Sequence, residues 1–264
     1  MTAVSLSAVD LALAACLVLL LALISHRMAL GVAHDLLVAA ARTAIQLTLV
    51  GLLLKLLFED AGPVWVVLMA LAMLAIAGRE VWARQKHPLR GVWGYGLGAG
   101  AMFVSCFTLV IFALLVLVQP VPWYQPQYAI PLLGMLLGNT MNAIALGVDR
   151  MNRGAINERS IIEARLALGD PAREATAALR RDAVRVALVP MINAMAAAGV
   201  VSLPGMMTGQ ILAGAPPLEA VKYQILIMFL ITAATGLGAL WAVETGAKRL
   251  FDDRERLRID RLRN

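Results

Sequence analysis

Seven stretches of this chain are apolar for long enough to cross a lipid bilayer, which narrows its folds before any motif is considered. They cover residues 6–25, 36–57, 63–77, 92–118, 129–148, 186–203 and 221–243. A hydrocarbon core takes about 20 consecutive apolar residues as a helix. A hydrophobic content of 61% and a mean hydropathy of +0.79 exclude a water-soluble globular domain. The expected fold class is all-α, a polytopic membrane protein with about seven transmembrane helices. It is read as a single transmembrane domain over 1–264, with a cytosolic segment, 149–185, between the fifth and sixth spans.

Sidedness follows from where Lys and Arg fall. Arg27 lies between the first two spans, and Arg79, Arg84, Lys86 and Arg90 between the third and fourth. A long basic series from Arg150 to Arg185 separates the fifth and sixth, and another from Lys248 to Arg263 follows the seventh. The intervening connections, 58–62, 119–128 and 204–220, contain neither residue. The positive-inside rule then puts the N-terminus outside and the C-terminus in the cytosol. The net charge of +6 is thus membrane topology, and no nucleic acid is expected, because no basic patch is interleaved with aromatics. Cys16 and Cys106 are isolated in apolar runs, so neither a disulfide framework nor a thiolate metal site is expected. Leu13-Ala14-Ala15-Cys16 looks like a lipoprotein cleavage box. No Lys or Arg precedes Arg27 to supply a signal peptide's basic region, so a retained first span is expected.

The longest polar interval, 157–185, is patterned rather than loose. Ile161, Ile162, Ala164, Leu166 and Leu168 alternate with Glu158, Arg159, Glu163 and Arg165 as in a short amphipathic helix. Gly169 supplies a left-handed stop. Asp170 and Pro171 are expected to restart the chain as N-cap and first helical residue. A rigid corner on the water side is a shape another protein can grip.

Within the spans, Gly94–Gly98, Gly96–Gly100 and Gly134–Gly138 form small-residue stripes that let backbones approach. Polar residues there cost free energy and are candidates for a pathway. Arg42 and Gln46 share one face of the second span, where Arg42 either snorkels or lines a pathway. Asn139, Asn142 and Asn193 either bond between helices or contact a solute. Pro190 should kink the sixth span. Pro204-Gly205 should break it, leaving a re-entrant or broken segment that carries Met206, Met207 and Gln210. The two thioethers either fill apolar gaps or ligate a soft metal, so any metal site stays unknown. No Asp or Glu sits in the middle of a span, against a proton relay or an all-carboxylate metal cage.

Enzyme motifs are missing, and no catalytic residue is expected. None of Lys55, Lys86, Lys222 and Lys248 follows a glycine, so there is no phosphate loop. His26, His34 and His87 form no metalloprotease pair, and no Gly-x-Ser-x-Gly elbow occurs.

Glu163-Ala164-Arg165 followed by Gly169 is similar to the first half of the coupling motif of ABC-transporter permeases, with Arg165 replacing its second Ala. A more extensive likeness lies in Arg42-Thr-Ala-Ile-Gln-Leu-Thr-Leu-Val-Gly51 with Lys55, Gly134-Met-Leu-Leu-Gly-Asn139, Leu166-Ala-Leu-Gly169, and Ser202-Leu-Pro-Gly-Met-Met-Thr-Gly209 with Lys222-Tyr-Gln-Ile225. With these motifs the chain resembles the FetB family, permease subunits of iron-export ABC transporters, over about His26 to Arg249. The resemblance implies a multi-pass protein of the bacterial inner membrane and a FetA-like ATPase partner. It further implies two copies of each subunit, ATP and Mg bound by the partner, and no cofactor on this chain. It makes Glu158, Glu163, Arg165, Leu166, Leu168, Gly169, Asp170 and Pro171 the ATPase-coupling residues. Plant half-transporters linked to aluminium tolerance and associated with a sugar nucleotide share the motifs, so the substrate stays open. An ATP-independent secondary transporter or membrane scaffold is the alternative from another class.

Overall fold

The computed structural model describes residues 7–60 and 62–263. The expected start of the first span at Leu6, both chain ends and Ala61 lie outside the described residues. Those described form eleven α-helices, two π-helical segments and one short 3-10 turn, with isolated β-bridges but no strand. Six helical stretches are long and apolar enough to cross a membrane: Ala8–Arg27, Ala33–Lys55, Pro63–Ala83, Val92–Val118, Pro126–Asn157 and Pro217–Arg249. The protein is therefore all-α and multi-pass. It forms two compact units, one of residues 1–62 with 212–214, the other of 63–211 with 215–264.

The first unit is a helical hairpin, α1 (Ala8–Arg27) and α2 (Ala33–Asp60). Ser7 begins it with a capping box: its hydroxyl accepts from the Asp10 N–H at 3.3 Å, and the Asp10 carboxylate accepts from the Ser7 N–H at 2.8 Å. Leu17 and Leu47 are each more than two-thirds exposed, a surface that suits lipid rather than water.

The second unit is built on two long helices, α6 (Pro126–Asn157) and α11 (Pro217–Arg249), packed on each other. The helix α9 (Ala177–Ala197) lies against both. Their seam is made of small residues: Ala143, Ala187 and Ala239 are buried together, and a Cβ on Gly147 would sit 3.1 Å from Val243 and 3.2 Å from Ala187. Lipid supplies no hydrophobic drive between helices, so such a seam stabilises through close backbone approach. On the flank, α3 (Pro63–Ala83) packs on α4 (Val92–Met102). Here the glycine stripe resolves into one contact face: a Cβ on Gly98 would fall 2.7 Å from Val81, while Gly96 faces open space. Beyond α4 the fourth span continues as a π-helical segment Phe103–Phe107, α5 (Thr108–Phe112) and a second π-helical segment, Ala113–Val118.

The sixth span departs most from expectation. Its helix begins nine residues earlier than position 186, at Ala177, and ends at Ala197. Arg180, Arg181, Asp182 and Arg185 occupy its first half, so it is not among the six stretches apolar enough to cross alone. The remaining apolar part, at about 1.5 Å per residue, is too short for a ~30 Å core. After it the Ala197 carbonyl accepts from Val201 and Ser202, and Gly199 takes a φ of +82°. Pro204-Gly205, expected to break a helix, instead starts one: α10 (Gly205–Leu212), whose Thr208 N–H donates to the Pro204 carbonyl.

A braced corner and two cavities as the candidate functional site

One end of the second unit gathers its basic loops. At this end α6 runs out at Asn157, and Glu158 turns the chain into α7 (Arg159–Ala167). The stop after α7 is the expected one. Gly169 has a φ of +100°, its N–H donates to the Leu166 carbonyl, and the Asp170 N–H reaches back to Arg165, both at 3.1 Å. These are the two bonds of a Schellman motif.

The restart differs from expectation. Pro171, extended at φ −66° and ψ 153°, is itself the N-cap of a one-turn helix, α8 (Ala172–Ala175), rather than its first residue. Asp170 caps nothing, because its carboxylate accepts from Arg165 Nε at 2.7 Å. The free Ala172 N–H donates instead to the Glu255 carboxylate at 3.0 Å, from the far end of the chain. Of the apolar residues on α7 and its C-cap, Ile162 is buried and anchors the helix, while Ile161 and the C-cap Leu168 are exposed, Leu168 at 87%. Glu163 is tied to Arg159 at 2.7 Å.

The C-terminal segment, which carries no sequence motif, completes the corner. Phe251 and Leu257 bridge to form a small hairpin, and the Asp252 carboxylate accepts from the backbone of Arg254 and Arg256 and from the Arg256 guanidinium. Those bonds hold the Asp252 carboxyl down to about 2. Between hairpin and α7 lies a groove of about 880 Å³, lined by Glu163, Leu166, Gly169 and Asp170 on one wall and by 254–258 on the other.

Two cavities lie further along the unit. The nearer one, about 400 Å³, joins Asn139 and Asn142 with Arg84, Asp149, Pro190 and Thr235. Arg84 donates to the Asn142 side-chain oxygen, and Asn139 donates to the Met135 carbonyl at 2.8 Å. Asp149 accepts from the Lys86 N–H at 2.8 Å. The other, about 440 Å³, is lined by Met135, Met206, Gln210, Tyr128 and Pro131. Each cavity abuts a proline inside a helix, Pro190 in α9 and Pro131 in α6. A helix-interior proline leaves the carbonyl four residues back without its usual donor, which favours a polar lining there.

The candidate pathway residues therefore separate. Asn139 and Asn142 share one cavity, and Met206 and Gln210 the other. Met207 is buried, its N–H donating to Gln224 at 3.3 Å, and Asn193 is exposed on α9 outside both cavity walls. Arg42 and Gln46 lie exposed on α2, in the first unit. Among the described residues no group of three or more His, Cys, Asp or Glu is arranged to hold a metal ion. Sequence reading passed over Arg84, Asp149 and Thr235. Arg84 carried a signal, since it follows Glu80 by four positions and continues that face of α3.

A multi-pass helical bundle with a rigid polar corner at its basic end and cavities between its helices is an integral membrane protein of a recognisable kind. Residues 8–251 match the family described as "Uncharacterised protein family (UPF0014)", and the chain belongs to it. It is 39% identical over 235 residues to UPF0014 membrane protein slr1647 of Synechocystis, covering 87% of this chain and 88% of that one. It is 33% identical to the probable iron export permease protein FetB of Escherichia coli, covering 96% of each. UPF0014 membrane protein STAR2 of rice is 34% identical, over 87% of this chain and 81% of that one. No solved structure matches the chain.

Proposed function

We propose that this chain is the membrane-spanning permease subunit of an ABC transporter that exports iron, driven by ATP hydrolysis on a separate subunit. The carrying observation is the corner at Glu158–Pro171. A helix tied by Ile162, stopped by a two-bond motif at Gly169 and presenting an almost fully exposed Leu168 is a built contact surface, not a linker. Ile161 and Leu168, seven positions apart and both exposed, put apolar surface on the same side of this otherwise polar corner, which an apolar partner surface would cover. The likeness to a probable iron export permease over nearly the whole of both chains supports the transport role and the cargo.

In this reading two copies of the chain stand on two copies of an ATPase in the bacterial inner membrane. The α9–α10 pair forms a seventh, broken crossing. Arg150, on the last third of α6, pairs with Asp182 at the start of α9, while α10 lines a cavity with Tyr128 from the first turn of α6. Seven crossings put the N-terminus outside and the basic C-terminus in the cytosol. The cavity holding Arg84, Asn139 and Asn142 borders the pathway on the ATPase side. Its guanidinium and amides favour a second cargo reading, an oxygen-rich solute such as a sugar nucleotide.

Purification on a tag at the C-terminus is expected to bring down an ABC ATPase, and vesicles of that complex are expected to move iron only with ATP. Recovery of a lone chain that transports without ATP would reject the reading.

A further inference from the structure

We infer that Glu255 is a positioning residue for the corner, and that the C-terminal segment, 251–263, locks the corner and the α3–α4 loop into one transmitting body. This rests on the permease reading above. The segment reaches both elements by direct bonds, the corner from its hairpin and the loop from 261–263. Toward the corner, Glu255 accepts from the Ala172 N–H at 3.0 Å, the first amide of α8 and one its own N-cap Pro171 cannot satisfy. Toward the loop, the Arg90 N–H donates to the Arg261 carbonyl and the Arg263 N–H to the Pro88 carbonyl, both at 2.8 Å. Leu262, 2% exposed, bridges Leu89 there.

The loop is tied in turn to α6. Asn152 donates to the His87 carbonyl at 2.9 Å, and Asp149 accepts from the Lys86 N–H at 2.8 Å. Arg261 closes the hairpin on the end of α11 by donating to the Arg249 and Phe251 carbonyls. Corner, loop, α6 and α11 thus share one hydrogen-bonded junction at the basic end.

Glu255 itself has a φ of +55°, a left-handed conformation unusual for a side-chain-bearing residue. The Asp252 loop holds it there, the Glu255 N–H donating to the Asp252 carbonyl at 2.9 Å. Backbone strain of this kind persists where the surroundings over-determine it, and here it aims one carboxylate at one amide. A push on Leu168 therefore does not simply rotate α7 about Gly169. It passes through Ala172, Glu255 and the hairpin to the loop that carries Arg84 and Lys86, beside the nearer cavity.

The test uses the complex purified on this chain and returned to vesicles. Glu255→Ala is expected to raise amide hydrogen exchange at Ala172 about tenfold, the loss of one charge-assisted bond. It is also expected to lower transport per ATP hydrolysed about threefold, with Glu255→Gln, whose amide oxygen still accepts, restoring most of both. Faster exchange at Ala172 with wild-type coupling would overturn the transmitting role. Wild-type exchange in Glu255→Ala would overturn the clasp itself. ATP-independent transport by the wild-type complex is a separate result that would remove the permease reading and this inference with it.

Discussion

Gly169 decides the corner because of its backbone, not its surroundings. At φ +100° a Cβ there would meet nothing within 4 Å, so substitution costs strain alone. Gly169→Val is expected to cost on the order of 1–2 kcal/mol locally, enough to shift docking several-fold while the spans insert normally. Membrane level together with ATPase recovery on the tagged chain checks this, and wild-type recovery at wild-type level would move the coupling role elsewhere. Asp252 offers a second residue-scale test. Its carboxyl is held near 2, below its ordinary 3.8, mainly by Arg256. A depressed folded value means the stabilisation is complete above the unfolded value and is lost as pH falls through the folded one. Slow exchange at the Arg254 and Arg256 amides is thus expected to persist at pH 4 and to fade toward pH 2. Asp252→Ala, which has no acceptor for either amide, should show the faster exchange already at neutral pH.

Packing of α3 on α4 shows how far elements were legible. The four-residue glycine repeat in the fourth span was readable as a close-approach stripe, but which repeat meets a neighbour depends on rotation about the helix axis, which spacing alone does not fix. Gly98 meets Val81, whereas Gly96 faces outward. Gly98→Leu is expected to destabilise by about 1–3 kcal/mol through overpacking, and Gly96→Ala to change stability by less than about 0.5 kcal/mol, as thermal unfolding in detergent would report. The bounds of the sixth span differ from expectation for a related reason. Hydropathy averaged from Val186 onward gives no weight to the Arg-rich turns that lead into the same helix. Gly199 then ends it before Pro204, so the Pro-Gly pair acts as a helix start. The Gly169 stop was legible because it is local chemistry. The Glu255 bond to Ala172 was not, since 83 positions separate its partners and no short-range pattern encodes them.

At the scale of the molecule, the all-α multi-pass architecture followed from apolar length, and the partition of the candidate pathway residues into separate sites did not, because it depends on helix packing. The α9–α10 pair decides the topology. As a seventh crossing it leaves Met1 outside and Asn264 in the cytosol, so a reporter at each end is expected to be accessible from opposite faces. Both reporters on one face would reduce the crossings to an even number. In the proposed transporter the polar corner receives work from an ATPase and delivers it to the bundle. This is tested most directly by measuring iron movement and ATP hydrolysis in the same vesicles for the wild-type complex and for Leu168→Asp. Leu168 is 87% exposed, so the change leaves the fold intact and places a charge where an apolar partner surface is expected. ATP-dependent iron movement is expected in the wild type, and at least about a tenfold loss of it in the variant, the scale of one well-placed apolar contact. Equal iron movement in both, or movement that persists when ATP is withheld, would contradict it.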